Sequence, residues 1–288
     1  MALSPVDVLI FAPHPDDESV GAGGIIQHAV AAGKTVRVVF ITSGDGYPQA
    51  AAALLKRPVA ELRAADFISL ASRRQLEAVA AGAVLGLAAS DLIFLGYPDS
   101  AVTAVYMNES VSAIESPFTE MRSTYGPTLA DYHTTTHGRP GAYTRNSLLA
   151  DATEILRGSE PSQIYVTDQA DTHQDHAATF DVVTTAAAGI GYSGELLTMV
   201  IHSGPGERWP WPNGSTTRSG FEQHEIDGTM YPIDVGWPPP VRVPLTAAEC
   251  EVKLKAIAAH VSQCAVDGDY LESFVKAEEL FWRPRQAL

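Results

Sequence analysis

The chain has 288 residues and a formal net charge of −15, with 45% hydrophobic and 18% charged residues. This length suits one large α/β domain, and the apolar content is ample for a buried core. The negative charge argues against binding to a nucleic-acid backbone or to an anionic membrane surface, because both would repel the protein.

The first half of the chain alternates strand and helix patterns. Short apolar runs rich in β-branched residues predict strands at Val6–Ala12, Thr35–Thr42 and Asp91–Leu95. One-sided apolar patterns predict helices at Val20–Ala32 and Arg73–Leu85. Gly33 is a suitable C-cap for the first of these helices.

The second half continues the alternation between two irregular stretches, 100–145 and 204–240. Helices are predicted at Asn146–Leu156 and His176–Ala188, and strands at Gln163–Thr167, Leu196–His202 and Val241–Val243. A last helix is predicted to run to Gln263, with Thr246 as N-cap and Glu249 at its third position. Strands that alternate with helices predict a mostly parallel sheet flanked by helices, in a single domain over 1–288.

Neither a membrane anchor nor a disulfide framework is expected. No stretch of about 18 uncharged apolar residues occurs, and the N-terminus lacks the basic and apolar regions of a secretory signal. Cys250 and Cys264 are too few for a disulfide framework, so we expect them to be buried as small apolar residues. These features predict a cytoplasmic protein.

The segment HPDDE, residues 14–18, directly follows the first predicted strand. Ligands of open α/β sheets bind beyond the carboxyl ends of the strands. Because His14 and Asp17 are three positions apart, one turn can aim both at a divalent ion, which leaves Asp16 free as a base. A helix cap is the alternative role for Asp16 or Asp17, but three adjacent acids without a positive partner would repel one another.

A second cluster, HQDH at 173–176, follows the predicted strand QIYVT. One imidazole would complete a site of two histidines and one carboxylate, with coordination left open for water. The other imidazole would stay off the metal, with Asp175 holding its tautomer. A pair of surface histidines explains this cluster equally well when it is taken alone. Two such clusters at strand ends of one sheet favour a shared site.

The run APHPDDE at 12–18, followed by glycines 21, 23 and 24, resembles the signature of the PIG-L/LmbE-like de-N-acetylase family. HQDH at 173–176 resembles the second motif of that family, HxDH. Supporting similarities are RQLE at 74–77, LGYPD at 95–99 and KAIAAHVSQ at 255–263. The similarity covers roughly 1–100, 145–190 and 245–263, and it is weak over 100–145 and 204–240.

This resemblance implies a Rossmann-like fold whose irregular loops form a cap over the carboxyl ends of the strands. It also implies one zinc ion and hydrolysis of an N-acetyl group on an N-acetylglucosaminyl or related compound. By motif position, the implied metal ligands are His14, Asp17 and His176. The implied catalytic residues are Asp16 as general base, His173 as the imidazole that stabilises the oxyanion or protonates the amine, and Asp175 as the partner that orients His173. Arg74 and Asp99 match positions that contact substrate hydroxyls.

One position departs from the family pattern. Some relatives carry a mobile tyrosine two residues before the first histidine of the second motif, where this chain has Asp171. The glycines at 21, 23 and 24 lack GxGxxG spacing and follow acids that would repel a pyrophosphate, so we expect them to serve close helix packing.

Three functions remain open at this stage. The first is a zinc deacetylase whose partner is a small N-acylated amino sugar or conjugate, and many members of this family form homo-oligomers. The second is a metal amidase for another amide, such as a thiol conjugate. The third is a metal- or ligand-binding domain without catalysis, against which the presence of Asp16 argues.

Several further residues have two interpretations each. Asp45 and His202 are either site residues or ordinary turn and packing residues. His133 and His137 are either part of a substrate lid or solvated. Three tryptophans are either platforms for a sugar ring or anchors of loops: Trp209, Trp211 and Trp237.

Overall fold

A computed structural model describes residues 3–206, 208–217 and 219–285 of the chain. The strands are β1 (Val8–Ala12), β2 (Val36–Thr42), β3 (Leu92–Tyr97), β4 (Gln163–Thr167), β5 (Glu195–Met199), β6 (His224–Ile226), β7 (Thr229–Tyr231), β8 (Val241–Pro244) and β9 (Glu278–Phe281). The α-helices are α1 (Asp17–Ala31), α2 (Pro48–Leu55), α3 (Ala64–Val84), α4 (Val102–Met107), α5 (Tyr132–His137), α6 (Arg145–Ser159), α7 (Gln174–Gly189), α8 (Ala247–Ala259) and α9 (Val261–Glu272).

Five strands form the central sheet in the order β3-β2-β1-β4-β5. Every neighbouring pair in this sheet is parallel. The chain runs outward from β1 through β2 to β3 and then returns to place β4 on the other side of β1. The carboxyl ends of β1 and β4 therefore flank the point at which the strand order reverses, where open α/β sheets bind their ligands.

The predicted α/β architecture, Rossmann-like with a mostly parallel sheet between helices, is confirmed. Both sheet faces are covered by helices, and for this reason β1 is a continuous apolar run. Leu9 and Phe11 point into a cluster that contains residues of α6 and α7. Val8 and Ile10 point into the opposite cluster, which contains residues of α1, α3 and α8.

The structure gives several of the predicted elements different bounds, and the helix predicted at Arg73–Leu85 begins already at Ala64. The strand predicted at Leu196–His202 ends at Met199. Beyond it, the backbone N–H groups of Ile201 and His202 donate to the side chain of Asp171 rather than to a neighbouring strand. The helix predicted to run to Gln263 ends at Ala259, because His260 has non-helical backbone angles (φ −80°, ψ 61°), and α9 continues beyond it.

The irregular stretches hold more structure than the sequence predicts. Within 100–145 the chain forms the short helices α4 and α5, and within 204–240 it forms the antiparallel hairpin β6–β7. Positions 207 and 218 of the second stretch lie outside the described residues. The predicted edge strand near Val241 is β8, which pairs antiparallel with β9. Within the described ranges, none of the helices combines the length and apolar character that a bilayer crossing requires.

Candidate metal centre

His14 and His176 meet at the carboxyl ends of β1 and β4, although they are 162 positions apart in the sequence. His14 follows β1 by two residues, and His176 lies in the first turn of α7, which follows β4. Both side chains are buried, with His176 at 0% exposure. The parallel neighbours β1 and β4 therefore bring together the two sequence clusters that were predicted to share a site.

Three ligand-type atoms form a nearly equilateral triangle at this position. His14 Nδ1 lies 3.3 Å from Asp17 Oδ2, His176 Nε2 lies 3.4 Å from the same oxygen, and the two ring nitrogens are 3.2 Å apart. A tetrahedral zinc ion with bonds of about 2.0–2.1 Å separates its ligand atoms by about 3.3–3.4 Å. The cluster is therefore compatible with a divalent metal site, and its three members are the predicted ligands.

The nitrogen atoms on the far side of each ring contact carboxylates. His14 Nε2 lies 3.4 Å from both Asp99 and Asp175, and His176 Nδ1 lies 3.1 Å from Asp171 Oδ2. Such contacts fix the tautomer of a ligating imidazole and raise its basicity. Asp171, which replaces the tyrosine of some relatives, thus holds His176 in place.

The carboxylates and imidazoles of the triangle stabilise each other's charged forms. Burial alone would raise the pKa of Asp17, but His176 and His14 hold it well below its usual range. Burial alone would lower the pKa of His14, but Asp99 and the neighbouring carboxylates raise it well above its usual range. A ligand set with this affinity for positive charge suits a divalent cation.

Asp16 has a strained backbone, with φ of 148° and ψ of −30°, at the N-cap of α1. Such a conformation in a residue other than glycine costs about 1–3 kcal/mol, and it is typical of functional sites. The backbone N–H groups of Ser19 and Val20 donate to the Asp16 carbonyl, which starts α1 inside the motif rather than at Val20 as predicted. The strained turn separates the side chain of Asp16 from that of Asp17.

The Asp16 carboxylate is held by Arg74. An Arg74 Nη2–Oδ2 hydrogen bond of 3.0 Å joins them, and the same nitrogen donates to the Pro15 carbonyl at 2.8 Å. Burial raises the pKa of Asp16 to about 6, although Arg74 acts in the opposite direction. A carboxylate with a pKa near neutrality is suited to take up and release a proton.

Glu18, the third acid of the motif, contacts His260. Its Oε1 atom lies 3.0 Å from His260 Nε2, and its Oε2 atom accepts the backbone N–H of Asp16 at 3.0 Å. Each of the three adjacent acids therefore has its own cationic or imidazole partner, which resolves the repulsion expected from the sequence. His260 is at the break between α8 and α9, so the C-terminal helices stabilise the motif turn.

His173 lies beside the triangle, and its predicted orientation by the Asp175 carboxylate requires correction. That carboxylate instead contacts His14 and accepts the backbone N–H groups of Ser100 and Val102, at 2.6 and 3.0 Å. The backbone N–H of Asp175 donates to His173 Nδ1 at 3.3 Å. Because Nδ1 accepts this bond, the neutral His173 ring carries its proton on Nε2. Burial and His176 lower the pKa of His173 to about 2, which favours that neutral form.

A cavity of about 260 Å³ opens onto the triangle. Its lining includes six of the eight predicted site residues: His14, Asp16, Asp17, Arg74, Asp99 and His173. Two of these lining residues already form hydrogen bonds within the protein. Arg74 donates to Asp16, and Asp99 accepts the N–H of Gly46. The other two, Asp175 and His176, lie behind the lining.

The sequence analysis missed most of the outer wall of this cavity. Tyr47 precedes α2, and Gln263, Asp267 and Tyr270 lie on α9. The hydroxyl of Tyr47 donates to Asp267 at 2.5 Å, so the two walls are joined across the rim. No bounds were predicted for α2. The continuation of the last helix as α9 was not predicted, because the break at His260 is not visible in a helical pattern.

The residues left with two interpretations divide between cavity and core. His202 lines the cavity, and its Nδ1 atom lies 3.2 Å from the Tyr270 hydroxyl. Asp45 lies behind the cavity and accepts the N–H of Asp99 at 3.0 Å. Trp209 is buried and stacks on Phe221, as a loop anchor does.

The remaining tryptophans, the two cysteines and the glycines after the first motif all pack against other parts of the protein or remain free thiols. Trp211 stacks on His224 in the irregular stretch, and Trp237 packs edge-on against Trp209. Both cysteines are free thiols, with Cys250 buried as predicted and Cys264 partly exposed. At Gly21 and Gly24 an added Cβ would meet Met199 and Leu245 at 2.3 and 2.5 Å, so close packing accounts for these glycines.

Solved structures with this fold carry different functions. The chain aligns with a conserved protein of Thermus thermophilus at 18% identity (TM-score 0.57, covering 98% of this chain and 96% of that one). It aligns with N,N'-diacetylchitobiose deacetylase of Pyrococcus horikoshii at 20% identity (TM-score 0.53, covering 96% and 82%). It also aligns with GalB, the 4-carboxy-2-hydroxymuconate hydratase of Pseudomonas putida, at 16% identity (TM-score 0.54, covering 94% and 82%). At these identities the similarity establishes the fold and not the reaction.

The sequence itself identifies the family. A comparison with curated proteins gave no match. The family model described as PIG-L, GlcNAc-PI de-N-acetylase, matches residues 9–187, which include β1 through most of α7 and every predicted site residue. This family match supports a hydrolytic deacetylase. The chain belongs to the PIG-L family.

Proposed function

We propose that this protein is a zinc-dependent deacetylase that removes an N-acetyl group from a small amino sugar or sugar conjugate. The observation that carries the proposal is the triangle formed by His14, Asp17 and His176, whose sides of 3.2–3.4 Å match the edges of a tetrahedral site. These three residues would hold the cation. It would supply Lewis acidity, which acidifies water and polarises an amide carbonyl.

Asp16 is placed to act as the general base. It lines the same cavity as the triangle, and its pKa of about 6 lets it accept a proton from water near neutral pH and return it later. Arg74 fixes one carboxylate oxygen of Asp16. The free lone pairs on Asp16 then receive the proton, and the strained turn keeps them aimed at the cavity.

His173 is placed to act as a hydrogen-bond donor. Because its Nδ1 atom accepts the Asp175 backbone N–H, its Nε2–H is free to stabilise the oxyanion that develops during attack on the amide. The proton that Asp16 takes from water can then pass to the leaving amine, while His173 keeps its own. A neutral donor replaces the protonated ring that this type of mechanism would otherwise need.

The cavity supports a small polyhydroxylated substrate. A volume of about 260 Å³ lies just below the range of about 300–1,000 Å³ that is typical of ligand cavities, so a small substrate is favoured. Its outer wall contains the Gln263 amide and the Asp267 carboxylate, which can form hydrogen bonds with the hydroxyl groups of a sugar. The same wall contains the aromatic rings of Tyr47 and Tyr270. Among the described lining residues Arg74 is the only lysine or arginine, and it is paired with Asp16, which favours an uncharged sugar over a phosphorylated one.

The test combines metal analysis with amine release from a panel of N-acetylated sugars, acylated thiol conjugates and N-acetyl amino acids. We expect one catalytically required zinc per chain and the highest kcat/KM on an N-acetyl amino sugar. Asp16→Asn should keep the metal and lose about 10²–10⁴-fold in turnover, while the surface variant Asp227→Asn should match the wild type.

Four results would contradict the proposal. Activity that survives complete removal of metal would exclude the zinc mechanism. Near-wild-type turnover of Asp16→Asn would remove Asp16 from the base role. Metal binding without amine release from any member of the panel would favour a metal- or ligand-binding domain, and preference for the thiol conjugates would favour the alternative amidase.

A further inference from the structure

Two histidines and two carboxylates meet between α5 and α6, and none of the four lines the cavity. His133 and His137 are four positions apart on α5, and Asp151 and Glu154 are three positions apart on α6. Both spacings place the pair on one face of its helix. The two helices therefore present four ligand-type side chains to each other.

The contacts within this group are short. His133 Nδ1 lies 2.7 Å from Asp151 Oδ1, and His137 Nε2 lies 3.0 Å from Glu154 Oε2. The two imidazole rings have their centroids 4.5 Å apart. Ligand atoms of His133, His137 and Asp151 all lie within 4.8 Å of one another. Small side-chain rotations would bring them to the spacing of about 3.3–3.4 Å that bonds of about 2.0–2.1 Å require.

The surrounding backbone favours this arrangement. Asp131 caps α5 by accepting the N–H of Thr134, and Gly138 ends the helix directly after His137 with a φ of 72°. A Cβ at Gly141 would lie 2.8 Å from the His133 ring, so only glycine leaves room for that ring. The position of His133 against Asp151 is therefore built into the local fold.

The charge of the group also calls for a cation. The Asp151 side chain is 0% exposed, and the Tyr97 hydroxyl donates to its second oxygen at 2.8 Å. In the described part of the chain, neither Asp151 nor Glu154 forms an ion pair with a lysine or an arginine. Burial raises the pKa of Asp151, while the contacts with Tyr97 and His133 act in the opposite direction. A buried carboxylate of this kind is normally paired or bound to metal.

We propose that His133, His137 and Asp151, with Glu154 at the exposed side, form a second divalent-cation site. Imidazole and carboxylate ligands suit Zn²⁺ and related ions. The site would join α5 to α6 and so stabilise the irregular stretch 100–145. It is distinct from the triangle of His14, Asp17 and His176, and it does not depend on the proposed reaction.

The experiment measures zinc binding in the full chain by competition with a chromophoric chelator. His176→Ala removes the first site, and this background should still bind one equivalent of zinc. Adding His137→Ala should reduce this to none, and adding Glu154→Gln should weaken it. His28→Ala is the matched control, because His28 also forms a 3.0 Å histidine–glutamate pair, with Glu249.

A second readout guards against an unfolded variant. Zinc should raise the melting temperature of His176→Ala, and it should not raise that of the His176→Ala/His137→Ala double variant, while both keep the same far-ultraviolet circular dichroism. The proposal is overturned if the background binds no zinc, which would leave a histidine–aspartate hydrogen-bond network only. It is also overturned if the double variant binds as much zinc as its parent.

Discussion

Each of the three adjacent acids of the HPDDE segment contacts a different positively charged or imidazole side chain. Asp17 contacts the histidines of the triangle, Asp16 contacts Arg74, and Glu18 contacts His260. The sequence identifies all three acids as a cluster that needs positive partners. It could not say which partner serves which acid, because Arg74 and His260 come from distant helices.

We predict that Arg74 sets the pH at which Asp16, the proposed base, takes up a proton. Burial raises the pKa of Asp16 to about 6. The positive charge of Arg74 acts in the opposite direction and keeps this pKa from rising further. Arg74→Gln should therefore raise the pKa of Asp16 and move the acid limb of the pH–rate profile towards higher pH. At pH values below the pKa of Asp16, the variant should be about tenfold less active than the wild type for each unit by which this pKa is raised.

The measurement is kcat/KM against pH for the wild type and for Arg74→Gln, with metal content determined in parallel. Equal metal content with a displaced acid limb supports the assignment. A uniform loss of activity at every pH, with the limb unmoved, would mean that Arg74 serves substrate contact alone, as the family resemblance implies.

Asp171 should control metal affinity rather than turnover. Its Oδ2 atom contacts His176 Nδ1 and accepts the N–H groups of Ile201 and His202. Asp171→Asn keeps the size of the side chain but removes the negative charge behind the ligand. We expect metal affinity to fall about 10–100-fold, measured by chelator competition, with kcat at saturating zinc within a few-fold of wild type. Unchanged affinity would contradict this role.

At the scale of elements, sequence patterns predict the sheet better than the helices. The runs that form β1, β2, β3 and β4 are buried on both faces, so their apolar character is unmistakable. The break at His260 was missed because its cause is a contact with Glu18, 242 positions away in the sequence. The part of the cavity wall formed by α9 was missed for the same reason, since a tertiary contact and not helical periodicity decides where α9 begins.

The break between α8 and α9 should make stability depend on pH. Burial alone would lower the pKa of His260, but Glu18 raises it above its ordinary value in the folded protein. The protonated form is thus stabilised by folding. Its contribution is complete below the unfolded pKa of about 6.5 and is lost as pH rises through the higher folded value.

We therefore expect His260→Gln to lose this pH dependence and His260→Ala to lose about 3–5 kcal/mol of unfolding free energy, because it leaves the buried Glu18 carboxylate without its imidazole partner. Urea unfolding at about pH 6 and about pH 9 measures both effects. His224→Gln provides a control, since that ring stacks on Trp211 outside the core. If the unfolding free energy of His260→Gln changed with pH as much as that of the wild type, His260 would be excluded as the source of the pH dependence.

At the scale of the whole molecule, bound metal should stabilise the fold. The triangle joins β1, α1 and α7, and it requires these elements to be in place. An ion that binds only the folded state adds about 2.7 kcal/mol at a concentration 100 times its Kd. Zinc should accordingly raise the urea midpoint of the apo protein, and a chelator should reverse the rise.

The matched comparison is His176→Ala, in which the triangle is broken. Zinc should give a smaller rise in this variant than in wild type, and the remaining rise measures the second site proposed at α5 and α6. An identical response of both proteins would mean that the triangle does not bind the added zinc.

The distance of 162 positions between the two histidines of the triangle has a consequence for biosynthesis. A ribosome releases His14, Asp16 and Asp17 long before it has made α7, and a nascent chain with only the first cluster offers a single imidazole beside acids. Cation capture must therefore wait until β4 has docked against β1. Chains truncated within α6 should not retain zinc at the triangle. Zinc binding at the triangle therefore indicates that β4 has paired with β1, where the strand order reverses.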